Sequence, residues 1–151
     1  MCCVRFPSSS PWPRRWQRFH QPGDWLHEVK FDGWGAQVHI EQGEATIYSK
    51  SGADITKRFR SLRPLISSIP VESAIIDCKL VACDEAGIPC FRILTELGNK
   101  APLYLWCFDL LYLNGVRFMP MPIEERKAIL ADVVALADSE HIQFSGDSTI
   151  R

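Results

Sequence analysis

The fold of this chain is decided by one stretch of its sequence, Ala36-Gln37-Val38-His39-Ile40-Glu41-Gln42-Gly43-Glu44-Ala45-Thr46-Ile47-Tyr48. In each half of the stretch apolar and polar side chains alternate, which is the pattern of a strand with one buried face. Gln42-Gly43 stands between the halves, where a tight hairpin turn favours glycine. The stretch therefore predicts an antiparallel β-hairpin.

Outward from the hairpin, apolar runs and turn residues predict further strands and helices. The predicted strands cover residues 75–83, residues 103–113 (as one strand or two segments) and the start of a strand at 141–144. The predicted helices run from Asp54 or Thr56 to about residue 67, over 91–97, and from Pro122 to 137. Strands outnumber helices and most neighbours can pair antiparallel, so we predict an α+β fold with flanking helices.

Composition excludes several classes of protein. The chain has 151 residues, of which 46% are apolar and 23% charged, with a net charge of -1, so it is neither wholly disordered nor a strongly basic, histone-type DNA binder. Its longest apolar stretch, residues 103–113, is short and interrupted by Asp109, so we expect no membrane partner. The six cysteines form no Cys-x-x-Cys pair and the first residues lack a continuous apolar run, so we expect a reduced, cytoplasmic protein.

Residues 1–23 differ from the rest of the chain. They contain four prolines and four arginines but no acidic residue, which predicts a loose arm ahead of a domain at 24–151. Arg14, Arg15 and Arg18 are interleaved with aromatic residues, a pattern suited to phosphates and stacked bases. The alternative is a poorly ordered leader without a binding role.

The segment with the clearest chemistry is Glu28-Val29-Lys30-Phe31-Asp32-Gly33. On an extended chain Lys30 shares one face with the carboxylates of Glu28 and Asp32. An amine attacks only when neutral, and the two carboxylates alone would raise its pKa, so a nucleophilic Lys30 requires a bound metal–phosphate group. The alternative is an exposed strand with a ladder of ion pairs.

Four segments, taken together, resemble the adenylation (nucleotidyltransferase) domain of ATP-dependent DNA ligases, with the bacterial end-joining ligase D type the nearest. They occur in the family's order and cover nearly everything between residues 25 and 130. The four are Glu28-Val29-Lys30-Phe31-Asp32-Gly33-Trp34; Tyr48-Ser49-Lys50-Ser51-Gly52 with Asp54-Ile55-Thr56-Lys57-Arg58-Phe59; Asp77-Cys78-Lys79-Leu80-Val81; and Phe108-Asp109-Leu110-Leu111-Tyr112-Leu113-Asn114-Gly115 with Pro120-Met121-Pro122-Ile123-Glu124-Glu125-Arg126.

The resemblance implies a role for several residues. Lys30 corresponds to the nucleophile that takes AMP from ATP, and Glu28 to the residue that fixes the adenine edge. Lys50 stands where the family has a nucleotide-binding arginine, and Phe108 resembles the aromatic residue that stacks on adenine. The resemblance also implies Mg²⁺, nicked double-stranded DNA as substrate, and the ATP-grasp-like fold of ligases and capping enzymes. A capping or RNA-ligase relative fits less well, because the continuation after Phe108 is ligase-like.

Departures from the family's motifs predict impaired catalysis. Gly35 stands where the family has arginine, and Lys79 stands where it has glutamate beside the ribose and metal. Cys78 adds bulk at a glycine position. A second metal-binding glutamate motif, a late lysine-rich motif and an OB-fold domain do not follow, so we expect an incomplete domain whose open sheet edge favours self-association. The alternative function is a non-catalytic relic that binds nucleotide, DNA or a partner protein.

Overall fold

The computed structural model describes residues 3–5, 25–27 and 32–146. The chain divides into two compact units, residues 1–30 with 145–151 and residues 31–144. In the first unit, β1 (Cys3–Arg5) pairs antiparallel with β2 (Trp25–His27). A short strand therefore lies within the segment predicted as a loose arm. The rest of that segment lies outside the described residues, and its role remains a prediction.

The predicted hairpin is confirmed in the second unit. Strand β3 (Trp34–Glu41) pairs antiparallel with β4 (Glu44–Ser49). The turn between them places Gln42 at φ 51° and Gly43 at φ 80°. Two consecutive positive φ angles are typical of a type I′ turn, whose twist matches that of the flanking strands. Local alternation and turn chemistry thus account for this element completely.

The hairpin is one side of a six-stranded, mostly antiparallel sheet. Its order is β4-β3-β5-β6-β7, and β8 pairs with β6 in the only parallel pairing among the described strands. The added strands are β5 (Ser73–Ala82), β6 (Leu103–Leu113), β7 (Val116–Arg117) and β8 (Ile142–Phe144). The predicted α+β class is confirmed, whereas the two-residue β7 is too short for its sequence pattern to predict.

One face of this sheet forms the hydrophobic core. Helix α1 (Arg63–Ser67) packs against β4, α2 (Phe91–Leu97) against β5, and α3 (Ile123–Ala135) against β6 and β8. The largest side chains that are wholly buried come from the strands, the helices and the turns before α1: Ile40, Ile47, Phe59, Leu62, Ile66, Ile76, Leu80, Leu94, Leu105, Leu110 and Leu130. No helix of the described residues is long and apolar enough to cross a membrane.

The helix predicted from Asp54 or Thr56 is wrong in its first half, because only α1, at residues 63–67, is helical. The side chain expected to cap it is used elsewhere: Thr56 Oγ1 accepts a hydrogen bond of 2.9 Å from the backbone of Ile47 in β4. The turns that follow still bury Phe59 and Leu62, so the apolar side of the segment is as predicted. Hydrogen bonding to β4 thus replaces the first turns of the predicted helix.

The other two predicted helices agree more closely with the structure. Helix α2 covers the predicted residues and ends at Gly98, whose φ is 52°. Helix α3 ends at Ala135, two residues before its predicted end. There Leu136 and Ala137 donate to the carbonyls three residues earlier, which tightens the last turn.

Candidate active site

The face of the sheet that does not carry the core is polar at its centre. Lys79 in β5 has Gly35 in β3 and Trp106 in β6 as its register partners. Asp77, two residues earlier, lies opposite Gln37 in β3. Residues in register share a face, and Cys78 between the two is buried on the other side. We call these five residues (Gly35, Gln37, Asp77, Lys79 and Trp106) the polar sheet face.

The two residues that close the lysine motif are held by their neighbours. A Cβ atom at Gly33 would lie 2.3 Å from the backbone oxygen of Leu80 and 2.9 Å from a methyl carbon of Val81. Asp32 Oδ2 accepts a hydrogen bond of 3.3 Å from the backbone of Phe91, the first residue of α2. The segment that follows Lys30 in sequence is therefore anchored both to β5 and to α2. Lys30 and Glu28 themselves lie outside the described residues.

An arginine that the sequence reasoning gave no role supports the same region. The guanidinium carbon of Arg58 lies 4.9 Å from the centre of the Trp34 ring, and its Nη2 donates to the Thr95 carbonyl at 2.6 Å. The Trp34 ring also meets Phe59 edge-on, at 5.7 Å between centroids. This side of α2 is thereby tied to the start of β3. The only signal in the sequence was the position of Arg58 within a family motif.

Lys50 lies at an exposed turn directly after β4. The turn is closed by backbone hydrogen bonds between Ser49 and both Gly52 and Ala53, and Gly52 adopts a φ of 83°. Next to it, hydrogen bonds from Thr56 hold the pKa of Asp54 below its ordinary value. The ammonium of Lys50 is thus presented to solvent from an ordered loop.

The same loop covers part of the outer edge of β4. Ile55 donates to the carbonyl of Ile47, and Ile47 donates to the hydroxyl of Thr56. These bonds satisfy groups that an incoming strand would need. The predicted self-association through an open sheet edge stays a prediction, and this part of β4 is not available for it.

Phe108 is half-buried and occupies a β-bulge in β6. Cys107 pairs with Cys78, and Asp109 pairs with Asp77, so β6 has one residue more than β5 across this step. A bulge of this kind re-aims the side chains around it. The sequence offered two alternatives for this region, one strand or two segments, and the structure shows one strand with an interrupted register.

Cys78 adds its bulk on the core side of the sheet and not on the polar sheet face. Its side chain is buried in the core, with its Sγ 3.6 Å from the Sγ of Cys107 on the neighbouring strand. Burial, followed by the contact with Cys107, raises the pKa of the Cys78 thiol well above its ordinary value, so the thiol stays protonated. Position 78 faces the core while Asp77 and Lys79 flank it on the polar side.

The described residues fit an anionic nucleotide better than a divalent cation. No group of three or more histidine, cysteine or acidic side chains that could hold a metal occurs within 32–146. On the polar sheet face the carboxylate of Asp77 is followed by the ammonium of Lys79, which repels Mg²⁺ and attracts phosphate. Asp109, the register partner of Asp77, is already engaged by Arg126. An aromatic residue at 108 and a free space beyond the Cα of Gly35 complete a surface suited to a nucleotide.

Comparison with known proteins identifies the family of this chain. The family model of the ATP dependent DNA ligase domain matches residues 15–151. The chain belongs to the ATP-dependent DNA ligase family. The resemblance inferred from the four segments is confirmed, and the matched range includes residues 15–23 of the predicted arm.

The chain is similar both to bacterial end-joining proteins and to archaeal DNA ligases. It is 30% identical over 106 residues to the multifunctional non-homologous end joining DNA repair protein LigD of Mycobacterium tuberculosis, covering 70% of this chain and 14% of that protein. It is 33% identical over 135 residues to DNA ligase 2 of Methanosarcina acetivorans, covering 82% of this chain and 24% of that protein. The chain thus spans less than a quarter of the length of either relative.

A solved structure shows the same fold. Mycobacterial DNA ligase D, complexed with ATP and MES, superimposes with a TM-score of 0.68 at 26% identity over 80% of this chain and 39% of that one. The ligase domain of M. tuberculosis LigD gives 0.67 at 27% identity, over 79% of this chain and 38% of that one. The sheet of residues 31–144 is therefore part of a ligase nucleotidyltransferase fold.

Proposed function

We propose that this chain forms the nucleotide-handling part of an ATP-dependent DNA ligase. The observation that carries the proposal is the polar sheet face, where the third ligase-like segment lies in register with the strand that directly follows the first. Lys79 comes from the third ligase-like segment, and Gly35 directly follows the first. The glycine of the lysine motif is packed against the same strand, at Leu80.

In this proposal Lys30 is the nucleophile. Its neutral Nζ bonds to the α-phosphorus of ATP, the bond to the β-phosphate oxygen breaks, and pyrophosphate leaves. The Nζ loses its proton and holds AMP as a phosphoramidate. Glu28 binds the adenine edge, Phe108 stacks on the ring, and Lys50 approaches the phosphates from the loop after β4. Mg²⁺, when bound, would shield the phosphate charge, although the described residues contain no group of three or more side chains that could hold it.

The acceptor we propose is nicked double-stranded DNA. AMP passes from Lys30 to the 5′-phosphate of the nick, and the adjacent 3′-hydroxyl then displaces it to seal the strand. Support comes from the named relatives, which are DNA ligases and end-joining proteins. We place this activity in the cytoplasm, in keeping with the four free cysteine thiols of the described residues.

Non-catalytic binding is the second candidate function, and Lys79 favours it. An ammonium in the position of a metal-binding glutamate attracts the phosphates of a nucleotide but opposes the metal that assists their transfer. A chain of this kind binds ATP or a DNA end without completing the reaction. Impaired adenylation and pure binding differ in one observable, which is the covalent adduct.

We therefore expect slow formation of one AMP adduct on Lys30. The chain is incubated with ATP and Mg²⁺, and its intact mass is followed over hours, with peptide mapping to locate the modified lysine. The Lys30→Arg variant keeps the charge but has no nucleophile of the required pKa, so it should stay unmodified. If the wild-type chain binds ATP and never gains AMP, even at saturating nucleotide, the binding function replaces the enzymatic one.

For the arm, we expect Arg14, Arg15 and Arg18 to strengthen DNA binding. Replacing all three by glutamine should weaken binding to nicked duplex, and should lower the slope of log affinity against log salt by about 2 to 3, because each phosphate contact contributes about 0.9. Fluorescence anisotropy across a salt titration measures both quantities. The matched control replaces Arg60, Arg92 and Arg117, which are exposed on the second unit. Equal losses in the two triple variants would contradict a specific role for the arm.

A further inference from the structure

The guanidinium of Arg126 holds an unusually complete set of hydrogen bonds. Its Nε and Nη2 donate to the two carboxylate oxygens of Asp109, each at 2.8 Å. Its Nη1 donates to the carbonyls of Met119 and Met121, at 3.1 Å and 2.9 Å. The ion pair is largely buried, with exposed fractions of 16% for Arg126 and 18% for Asp109. Arg126 therefore acts as a clamp between the start of α3, the preceding loop and β6.

Asp109, the partner of Arg126, lies where the alternation of core-facing and outward-facing residues in β6 is interrupted. Leu103, Leu105 and Cys107 face the core, and continued alternation would direct the carboxylate of Asp109 there next. The extra residue at Phe108 prevents this, and Leu110 takes the buried position instead. The bulge thus keeps a charge out of the core, and Arg126 gives that charge a bidentate partner.

A second register shift follows directly. Ile76 pairs with Leu110 and Ile75 with Tyr112, so Leu111 is another extra residue in β6. Asp109 and Leu110 are consequently a short paired segment between two irregularities. Main-chain pairing holds such a segment less firmly than a continuous ladder, so the four bonds of Arg126 are a main source of its rigidity.

We propose that Arg126 is a positioning residue for nucleotide binding, because through Asp109 it fixes the bulge that presents Phe108 to the adenine ring. This inference rests on the stacking role of Phe108 in the proposed function. Arg126 itself contacts no nucleotide, since its guanidinium is engaged by Asp109 and two carbonyls. Its effect on affinity must therefore pass through Phe108.

A double-mutant cycle in nucleotide affinity tests whether the effect of Arg126 passes through Phe108. The probe is α,β-methylene-ATP, whose bridging carbon prevents adenylation, and its Kd is measured calorimetrically. Loss of one base–aromatic stack in Phe108→Ala should weaken binding about 10-fold. Arg126→Gln should weaken it by a similar factor, and the double variant should be no weaker than Phe108→Ala alone.

Two controls separate positioning from charge and from general destabilisation. Arg126→Lys keeps the charge but not the bidentate fork, so it should bind as weakly as Arg126→Gln. Arg63→Gln breaks an exposed pair with Glu44 and removes the same charge, so it should bind as the wild type does. If Arg126→Gln does not fold, Asp109→Asn replaces it in the cycle, with thermal unfolding recorded for every variant.

The outcomes are distinguishable. Wild-type affinity in Arg126→Gln, or losses that multiply in the double variant, would overturn the inference while leaving the proposed function standing. Equal Kd values for the wild type and Phe108→Ala would overturn the stacking role and the inference with it. No binding of α,β-methylene-ATP by the wild-type chain would overturn the proposed function itself.

Discussion

Replacing Lys79 by glutamate and Gly35 by arginine together should raise the rate of AMP transfer to Lys30 by about 100-fold, or about 2.7 kcal/mol of barrier. The two positions are register partners, so both changes act at one place on the polar sheet face. At an effective dielectric near 20, a unit charge pair about 4 Å apart is worth roughly 4 kcal/mol. Lys79→Glu turns repulsion of Mg²⁺ into attraction. Because the site is half-exposed, we expect the barrier to fall by less than the energy of this charge pair.

The space for the second change already exists. Outside the two adjoining residues, no atom lies within 4 Å of a Cβ atom built on Gly35, so the first carbon of an arginine side chain meets no neighbour there. Its guanidinium supplies the fork that binds a phosphate through two parallel hydrogen bonds. Gly35→Arg alone should change the rate of AMP transfer little, because it adds a second cation beside Lys79. The pair of changes is expected to exceed the sum of the single ones.

The measurement is the time course of the AMP adduct by intact-mass spectrometry at fixed ATP and Mg²⁺. Lys100→Glu is the matched control, since it makes the same charge change at an exposed position after α2 and should leave the rate unaltered. Adding Lys30→Arg to the double variant should abolish the adduct. An unchanged rate in Lys79→Glu with Gly35→Arg would refute the view that these two departures limit catalysis.

Gly33→Ala should destabilise the sheet by about 3 kcal/mol, the upper part of the range for overpacked sites. The new Cβ atom would lie 2.3 Å from the Leu80 carbonyl oxygen, a distance that such atoms do not adopt. The neighbour is backbone within a buried strand and cannot swing aside, so β5 or the segment after Lys30 must shift. For a chain of this length, the midpoint of thermal unfolding should fall by roughly 10 °C.

Gly35→Ala is the matched control for this prediction. It lies two residues away in sequence, at the start of the same strand β3, where the added methyl group meets no atom within 4 Å. Because alanine restricts the unfolded chain more than glycine does, this change should stabilise the fold by up to about 1 kcal/mol. Urea unfolding of both variants gives the comparison. Similar midpoints for the two would show that the close approach at Gly33 carries no strain.

The parts of the fold that the sequence predicted correctly depend on local rules. The hairpin at residues 36–48 follows from alternation and a turn with two positive φ angles. Helix α2 matches because Gly98 ends it locally. The helix predicted from Thr56 is wrong because the hydroxyl of Thr56 bonds to Ile47, nine residues away on a strand. Helix propensity and capping patterns depend on neighbouring residues, so they do not report a hydrogen bond to a separate strand.

The candidate site, too, could be predicted from the sequence only in part. The roles of Lys30, Glu28, Lys50 and Phe108 follow from the family resemblance and stay predictions, whereas the family itself is confirmed. The clamp of Arg126 and the contact of Arg58 with Trp34 were missed, because each joins different elements that meet only in the folded chain. The sequence likewise left open on which face of the sheet the bulk of Cys78 lies. The side that a strand residue faces is set by register, and its own motif does not report it.

By itself the sequence determined the ligase family, the central strands and two of the three helices, and the identity of the groups that carry charge and aromatic surface. Only the tertiary structure decided that Lys79 lies opposite Gly35, that Gly33 is in contact with Leu80, and that a bulge turns Asp109 towards Arg126. The physical reason is that side-chain chemistry belongs to single residues, whereas register, bulges and close approach exist only between strands that have already paired.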